Sequence, residues 1–383
     1  MYNKKIKIAF LGSPIVGGNY THYQYLKEGL PDFDWTLLNA GKINASTLQD
    51  DSFVHIASDL DRKKDLPLIA KMLLEYIEKE PFDVIIPMNS GIIISLIPFL
   101  NSKIKIVQIV NSDTPRVYKS VITHIVYLDK IICISSKQIQ EIKKRVDSEF
   151  FNQKTLLIPH GVKIQNTEIR QNLTEPLRIG FLGRMHQGHK NILLIPEILK
   201  KLKIEFHFEL VGDGEDKAEF ITALQKYKIT YKDYGIIERQ DIDQIISLWD
   251  IQLFPSTTEG FGLTLIECMQ HGVVPIANHL KGITDFIISH EKDGFIVPKN
   301  KVETYVEIIN NMNNNRLLLN QIKNEACTTV QNRFNLDEIL VQYSTVFNQL
   351  KDSKKNTKTL DFITWKPYIE YKPNVLQRIL SRF

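Results

Sequence analysis

The sequence predicts an α/β protein with two doubly wound domains, and three observations lead to this fold class. The chain has 383 residues, which exceeds the size of one ordinary hydrophobic core. Short, β-branched apolar runs alternate with helical stretches, as in parallel sheets covered by helices. The same alternation starts a second time after a polar, proline-terminated linker at residues 161–176. One sheet in each half of the chain is therefore expected.

The first half contains six apolar runs that have the length of strands. They lie at residues 5–12, 34–40, 83–88, 103–111, 130–135 and 155–159. Most are continuous, as expected for strands buried on both faces. Helices are predicted between them, including Leu66–Glu80 and Ser136–Val146. Residues 1–165 are therefore predicted to form the N-terminal domain.

The second half repeats the pattern over residues 166–350. Its strands are predicted at residues 177–183, 206–212, 251–256, 273–278 and 295–298, followed by closing helices. A basic, aromatic tail, residues 351–383, is expected to pack back on the N-terminal domain. Ligands of open parallel sheets bind beyond the carboxyl ends of the strands, so we expect the site in a cleft between the two domains.

Composition excludes several classes of protein. With 43% hydrophobic and 24% charged residues, the chain resembles soluble globular proteins. The most apolar stretch, Val84–Leu100, is interrupted by two prolines, and no membrane-spanning helix is predicted. The N-terminal apolar run ends at Gly12 without a cleavage site, which favours a cytoplasmic protein. Three widely spaced cysteines indicate neither disulfides nor a zinc site.

The net charge of +4 is concentrated at one end of the chain. After Leu350 there are eight Lys or Arg residues against three acidic ones. This local excess is too small to predict nucleic-acid binding. Interleaved with Trp365, Tyr368 and Tyr371, it fits contact with anionic lipid at the inner face of the plasma membrane. The alternative is a solvated tail that packs its aromatic residues on its own protein.

A glycine-containing loop follows the first predicted strand. Gly12, Gly17 and Gly18 would let backbone N–H groups approach an anion at a helix N-terminus. The loop is not a Walker motif, because Gly18 stands where that motif requires lysine, and GxGxxG is absent. The alternative is a tight turn without a ligand.

The loop after the first strand of the second half reads FLGRMHQGHKN. Arg184 and Lys190 lie beyond the strand end, where a bidentate guanidinium and an ammonium group together suit a diphosphate. The alternative is two solvated surface cations.

The most specific motif is FPSTTEGFGLTLIECMQHG, residues 254–272. Glu259 precedes a predicted helix over residues 263–271, Gly272 ends that helix, and Glu267 lies within it. Backbone N–H groups at Gly262 and Leu263 are available to a phosphate. Two carboxylates around an anion site are what a sugar linked to a nucleotide diphosphate needs.

The segment EGFGLTLIE resembles the E-x7-E signature of family 4 retaining glycosyltransferases, which have the GT-B fold of two Rossmann-like domains facing a central cleft. The segments CISS, IPHGV and LVGDGED agree with this family and occur in the right order. The resemblance is stronger in the second domain than in the first.

The resemblance implies roles for individual residues. Arg184 and Lys190 would bind the donor diphosphate and stabilise the leaving nucleotide, Glu259 would contact the sugar hydroxyls, and Glu267 would hold the ribose. The other implied donor-binding residues are Gly17, Gly18, Gly212, Ile237, Gly260, Phe261, Gly262 and Leu263.

The acceptor side departs from the family pattern. Many relatives have a histidine after the fourth strand, where this chain has Asn111. Asp113 and His124 are nearby candidates, although His124 lies in a helical pattern that favours an ordinary packed residue.

We expect a retaining, metal-independent hexosyltransferase without a cofactor, which moves a sugar from a UDP- or GDP-linked donor to a glycan or lipid-linked acceptor. The resemblance points to bacterial surface polysaccharide as the product. The DxD patterns at 59–61 and 241–243 match metal-binding transferases but are common by chance. Two alternatives remain, a nucleotide-sugar epimerase of the same fold and a non-catalytic partner subunit.

Overall fold

The computed structural model describes residues 4–12, 18–40, 52–61, 64–88, 91–165 and 168–351. These residues form two compact units. The first contains the described residues up to Ile134, Gln138–Ile158 and the chain from Leu340. The second contains Ser135–Lys137 and Pro159–Ile339.

A seven-stranded parallel sheet forms the centre of the first unit, in the order β3-β2-β1-β4-β5-β6-β7. Its elements are β1 (Lys7–Leu11), α1 (Gly18–Gly29), β2 (Asp34–Ala40), β3 (Phe53–Ile56), α2 (Leu66–Lys79), β4 (Val84–Ile86), α3 (Gly91–Leu96), a 3-10 turn (Ile97–Phe99), β5 (Lys105–Val110), α4 (Pro115–His124), β6 (Lys130–Cys133), α5 (Ser136–Lys143), α6 (Ser148–Lys154) and β7 (Thr155–Leu157). Helix α2 shows why these helices cover the sheet, because Ile69, Leu73 and Ile77 recur every four residues and are all buried.

A six-stranded parallel sheet forms the centre of the second unit, in the order β10-β9-β8-β11-β12-β13. Its elements are β8 (Leu177–Leu182), α7 (Gln187–Lys190), α8 (Leu194–Leu199), β9 (Phe206–Val211), α9 (Lys217–Lys226), β10 (Tyr231–Asp233), α10 (Arg239–Ile246), β11 (Ile251–Phe254), α11 (Leu263–Met269), β12 (Val274–Asn278), α12 (Thr284–Ile287), β13 (Phe295–Val297), α13 (Val302–Asn314), α14 (Arg316–Arg333) and α15 (Leu336–Lys351). The strand order reverses at β8, whose neighbours are β9 and β11. Such a switch point separates the loops that follow the strands and leaves a crevice for a ligand.

The α/β class, the two Rossmann-like parallel sheets and the C-terminal helices are confirmed. Each of the eleven predicted strands overlaps an observed one. Strands β3 and β10, which the sequence did not predict, lie at sheet edges.

The last helix belongs to both units. From Leu340 onward it is part of the first unit, where Phe347 packs edge-on against Phe33 and Trp35 at ring distances of 5.6 and 5.8 Å. Tyr343 packs against His22 at 5.5 Å. The predicted tail lies outside the described residues from position 352 onward.

The predicted linker is anchored in the second unit by a buried ion pair. The carboxylate of Asp250 accepts hydrogen bonds from Lys323 Nζ at 2.9 Å and Asn172 Nδ2 at 2.7 Å. Arg170 Nη1 and the backbone N–H of Arg178 donate to it at 3.0 Å each. Burial alone would raise the pKa of Asp250, but Lys323 and these hydrogen bonds hold it below its usual range. The segment after residue 167 is therefore part of the second domain.

None of the described helices is long and apolar enough to cross a bilayer. Cys133, Cys268 and Cys327 are buried thiols without a disulfide.

Candidate functional site

The loops after β8 and β11 are joined at the switch point of the second sheet. The backbone N–H of Thr257 donates to the carbonyl oxygen of His189 at 2.8 Å. The hydroxyl of Thr257 donates to the carbonyl of Gly188 at 3.0 Å. These bonds align two short segments of chain side by side, so that Lys190 and Glu259 come together.

Lys190 and Glu259 form an ion pair with an Nζ–Oε1 distance of 2.5 Å. The two side chains are only 19% and 12% exposed. The ammonium group also lies 5.3 Å from the ring centre of Phe254, at the end of β11. A partly buried cation and carboxylate at the carboxyl edge of a parallel sheet are suited to bind an anionic, hydroxyl-rich ligand.

Helix α11 begins beside this pair. Gly262 is its N-cap, with a φ of +109° that favours glycine, and Leu263 is its first residue. Within the first helical turn, the backbone N–H of Leu265 donates to the carbonyl oxygen of Gly262 at 2.9 Å, whereas the N–H groups before it have no acceptor within the helix. Glu267 lies one turn further along and is half-buried.

Arg184 lies in the loop after β8, and its side chain is 71% exposed. Its Nη2 and Nε atoms lie 3.0 and 3.2 Å from Oε2 of Glu215, in the loop after β9. The pKa of Glu215 is lowered by a hydrogen bond with the residue's own backbone and by the Arg184 guanidinium. The pair lies in solvent, so its contribution to folding stability is small.

Two glycines let the loops after β8 and β9 approach each other. Gly212 has a φ of +127°, and a Cβ added to it would lie 2.1 Å from the carbonyl oxygen of Gly183. A Cβ at Gly214 would lie 2.3 Å from the carbonyl of Met185. Gly212 therefore shapes this edge of the sheet through its backbone.

Phe261 is oriented towards the protein interior. It is 3% exposed, and its ring packs against Phe334 at 5.8 Å and edge-on against His160 at 5.3 Å. The Phe261 side chain is therefore part of the packed interior. Ile237 packs against the buried cluster around Trp249.

The acceptor-side candidates belong to the first unit. Asn111 Nδ2 donates to Asn19 Oδ1 of α1 at 2.5 Å, so it remains at the carboxyl end of β5. Asp113 accepts a hydrogen bond of 2.6 Å from the hydroxyl of Tyr118, which fixes it to α4.

His124 is buried at the end of α4. Its Nδ1 lies 2.8 Å from the carbonyl oxygen of Ser120, and burial lowers its pKa. Its position is that of a packed residue. Gly18 begins α1, whereas Gly17 lies outside the described residues.

Four side chains close to Arg184 or Lys190 in the chain or in space have no role predicted from the sequence: His186, His189, Glu215 and Thr258. His186 Nε2 lies 3.3 Å from Glu215 Oε1, and His189 Nδ1 lies 2.7 Å from the hydroxyl oxygen of Thr258. The signal in the sequence is that all four follow strands β8, β9 or β11. Among the described residues there is no cluster of three or more His, Cys, Asp or Glu side chains that could hold a metal ion.

Residues 164–328 match the family described as Glycosyl transferases group 1. An uncharacterized 41.2 kDa protein in the cps region of Klebsiella pneumoniae is 23% identical over 239 residues, which are 58% of this chain and 64% of that protein. The O-antigen biosynthesis glycosyltransferase WclY of Escherichia coli is 27% identical over 158 residues, 41% of this chain and 42% of that enzyme. The match thus spans less than two thirds of the length of these two curated relatives.

Solved structures share the fold. Sucrose-phosphate synthase from Thermosynechococcus elongatus superposes with a TM-score of 0.75 at 17% identity, over 90% of this chain and 99% of that chain. Anabaena HepE, solved in complex with UDP and glucose, has a TM-score of 0.72 at 14% identity, over 90% of this chain and 100% of that chain. Residues 164–328 are therefore similar to the glycosyl transferases of group 1, on a chain that has the GT-B fold.

Proposed function

We propose that this chain is a retaining glycosyltransferase of hexosyl type that uses a UDP- or GDP-linked sugar as donor. One observation carries the proposal: Lys190 and Glu259 form a partly buried ion pair at the switch point of the second sheet. Arg184 lies on the same loop as Lys190, and the N-terminus of α11 follows Glu259. These groups provide two cations, a helix terminus and a carboxylate within one edge of the domain.

The two cations would act on the donor diphosphate. In the transfer, the bond between the anomeric carbon and the diphosphate oxygen breaks, the acceptor hydroxyl forms a bond to that carbon, and its proton passes to the departing diphosphate. Negative charge accumulates on the departing diphosphate while the sugar gains oxocarbenium character. Arg184 and Lys190 would compensate that charge, and a preorganised group at such a position contributes about 3 kcal/mol.

The carboxylates would position the rest of the donor. Glu259, held by Lys190, would accept hydrogen bonds from the sugar hydroxyls, and Glu267 in α11 would accept those of the ribose. Neither role calls for a metal or a cofactor, and we propose none.

The acceptor would be a glycan or a lipid-linked glycan. Relatives of this chain are named for O-antigen biosynthesis or come from a cps region, which supports bacterial surface polysaccharide as the product. Such enzymes work where the donor is made, so we propose action at the cytoplasmic face of the membrane, with the basic tail in contact with anionic lipid.

The test is release of free nucleotide from a panel of UDP-, GDP-, ADP- and CMP-linked sugars in the presence of lipid-linked acceptors. Wild type is compared with Arg184→Ala, Glu259→Ala and the control Lys201→Ala. Lys201 forms an ion pair with Glu303 that has the same 2.5 Å distance as the Lys190 pair but leaves its side chain 44% exposed.

Turnover of one donor, lost at least 100-fold in Arg184→Ala or Glu259→Ala and kept in Lys201→Ala, supports the proposal. Isomerisation of the sugar without transfer would support the epimerase instead. Absence of both turnover and binding across the panel would support a non-catalytic subunit. Product linkage by NMR must show the anomeric configuration of the donor, since inversion contradicts a retaining mechanism.

A further inference from the structure

One imidazole, that of His186, accepts a hydrogen bond at one ring nitrogen and has a carboxylate near the other. His186 is the N-cap of α7, and its Nδ1 accepts a hydrogen bond of 3.1 Å from the backbone N–H of His189. A nitrogen that accepts carries no proton, so the neutral ring has its proton on Nε2. That nitrogen lies 3.3 Å from Glu215 Oε1. Gly188 leaves room for the ring, because a Cβ there would lie 2.8 Å from His186 Cε1.

These two contacts lead to the two cations of the proposed donor site. The other oxygen of Glu215 binds Arg184 at 3.0 Å. The turn that His186 caps ends at Lys190, which binds Glu259. The same imidazole therefore holds the partner of one cation and the backbone that carries the other.

Protonation of this ring would change both contacts in opposite ways. An imidazolium has an N–H on each nitrogen, so it cannot accept the N–H of His189. The cation would also face the His189 ring, whose centre lies 4.6 Å from that of His186 at an angle of 34° between the rings. It would share Glu215 with the Arg184 guanidinium. Asp216 accepts a hydrogen bond from the backbone N–H of Gln187 and holds the turn on its other side. Protonation thus strengthens the Glu215 contact and removes the cap.

We propose that His186, in its neutral form, is a positioning residue of the donor site: it caps the turn that carries Lys190 and orients Arg184 through Glu215. The proposal rests on the function proposed above. It predicts that the site binds a nucleoside diphosphate more weakly as His186 gains a proton.

The first experiment needs no ligand. Hydrogen exchange of the amides of residues 187–190 is measured at about pH 8 and about pH 5.5. Wild type is compared with His186→Asn, whose amide oxygen is a good N-cap without titrating, and with His186→Ala, which has no cap. His207→Asn is the control, since His207 is an exposed histidine at the start of the second domain's β9.

The expected result is a loss of protection in His186→Ala of about fivefold at the higher pH, and wild-type protection in His186→Asn. At the lower pH, wild type should fall to the level of His186→Ala while His186→Asn keeps its protection. Equal protection in wild type and His186→Ala at the higher pH would overturn the cap. If the ratio of amide protection between wild type and His186→Asn is the same at both pH values, the protonation effect is overturned.

The second experiment titrates UDP and GDP into the same proteins. Wild type should lose affinity relative to His186→Asn at about pH 5.5, whereas His207→Asn should follow wild type. Comparison at one pH cancels the protonation of the nucleotide itself. If neither nucleotide binds wild type at about pH 8, the proposed function fails, and the exchange experiment still decides whether His186 is the cap.

Discussion

Gly212 is the residue whose replacement has the clearest structural consequence. Its φ is +127°, and an added Cβ would lie 2.1 Å from the backbone oxygen of Gly183. Gly235 also has a positive φ, +65°, but nothing lies within 4 Å of its added Cβ. The two positions therefore separate backbone strain from steric overlap.

We predict that Gly212→Ala lowers the free energy of unfolding by about 3 kcal/mol, because strain and overlap add. Gly235→Ala should cost about 1 kcal/mol, which is strain alone. Urea unfolding of the two variants measures the difference. Equal losses would contradict the close approach of the loops after β8 and β9.

At the level of single residues, the sequence reveals charges but not their partners. Arg184, Lys190 and Glu259 are recognisable because each follows an apolar run that ends visibly in the sequence. The contact of His186 with Glu215 is not recognisable, because it joins two loops through side-chain geometry. The burial of the Phe261 ring is likewise not recognisable, because the glycines on either side of it give no apolar pattern.

The buried ion pair determines how the elements of the second domain are joined. Asp250, just before β11, and Lys323, in α14, are both fully buried, with 2.9 Å between their charged atoms. Removing Asp250 leaves the buried Lys323 without its carboxylate, and removing Lys323 leaves Asp250 with the partly exposed Arg170, whereas removing both leaves neither buried charge.

We predict that Asp250→Asn and Lys323→Met each lower the free energy of unfolding by about 3 kcal/mol, and that the double variant loses less than the sum. A double-mutant cycle by urea unfolding gives the coupling energy. Additive losses would show that the two charges do not depend on each other.

His160 couples the stability of the α11 region to pH. Burial lowers its pKa to about 4, whereas an unfolded histidine titrates near 6.5. Between these values the unfolded state binds more protons, so stability is present at neutral pH and is lost as pH falls from about 6.5 to about 4.

The free energy of unfolding is expected to fall by about 3 kcal/mol as the pH decreases from about 6.5 to about 4. His160→Gln removes the titrating group and should flatten the pH dependence of unfolding by this amount, while His207→Gln should not. If wild type and His160→Gln have parallel profiles, His160 is not the group that couples folding to protons.

The strands that the sequence predicted share one property. Buried parallel strands such as Lys105–Val110 and Ile251–Phe254 are continuous apolar runs, so length and hydropathy identify them. Strand β3, Phe53–Ile56, is short and mostly half-buried, and β10, Tyr231–Asp233, carries Lys and Asp. Edge strands keep such exposed and charged positions, and only the sheet order reveals them.

The proposed contact of the molecule with anionic lipid rests on the sequence of the tail. Residues 352–383 contain seven Lys or Arg against three acidic residues. We predict that deleting them weakens binding to vesicles that contain anionic lipid by at least about tenfold, and that added salt weakens wild type similarly. Neutral vesicles are the control. Unchanged sedimentation with anionic vesicles would assign the tail to another role.

The central claim for the whole molecule is that the switch point of its second sheet binds a nucleoside diphosphate. Calorimetric titration of UDP, GDP, ADP and CMP into wild type, Lys190→Met and the control Lys201→Met tests it most directly. We predict that one nucleoside diphosphate binds wild type. Lys190→Met should weaken its affinity by at least about 100-fold, and Lys201→Met should leave the affinity unchanged. Equal affinity in wild type and Lys190→Met would contradict it.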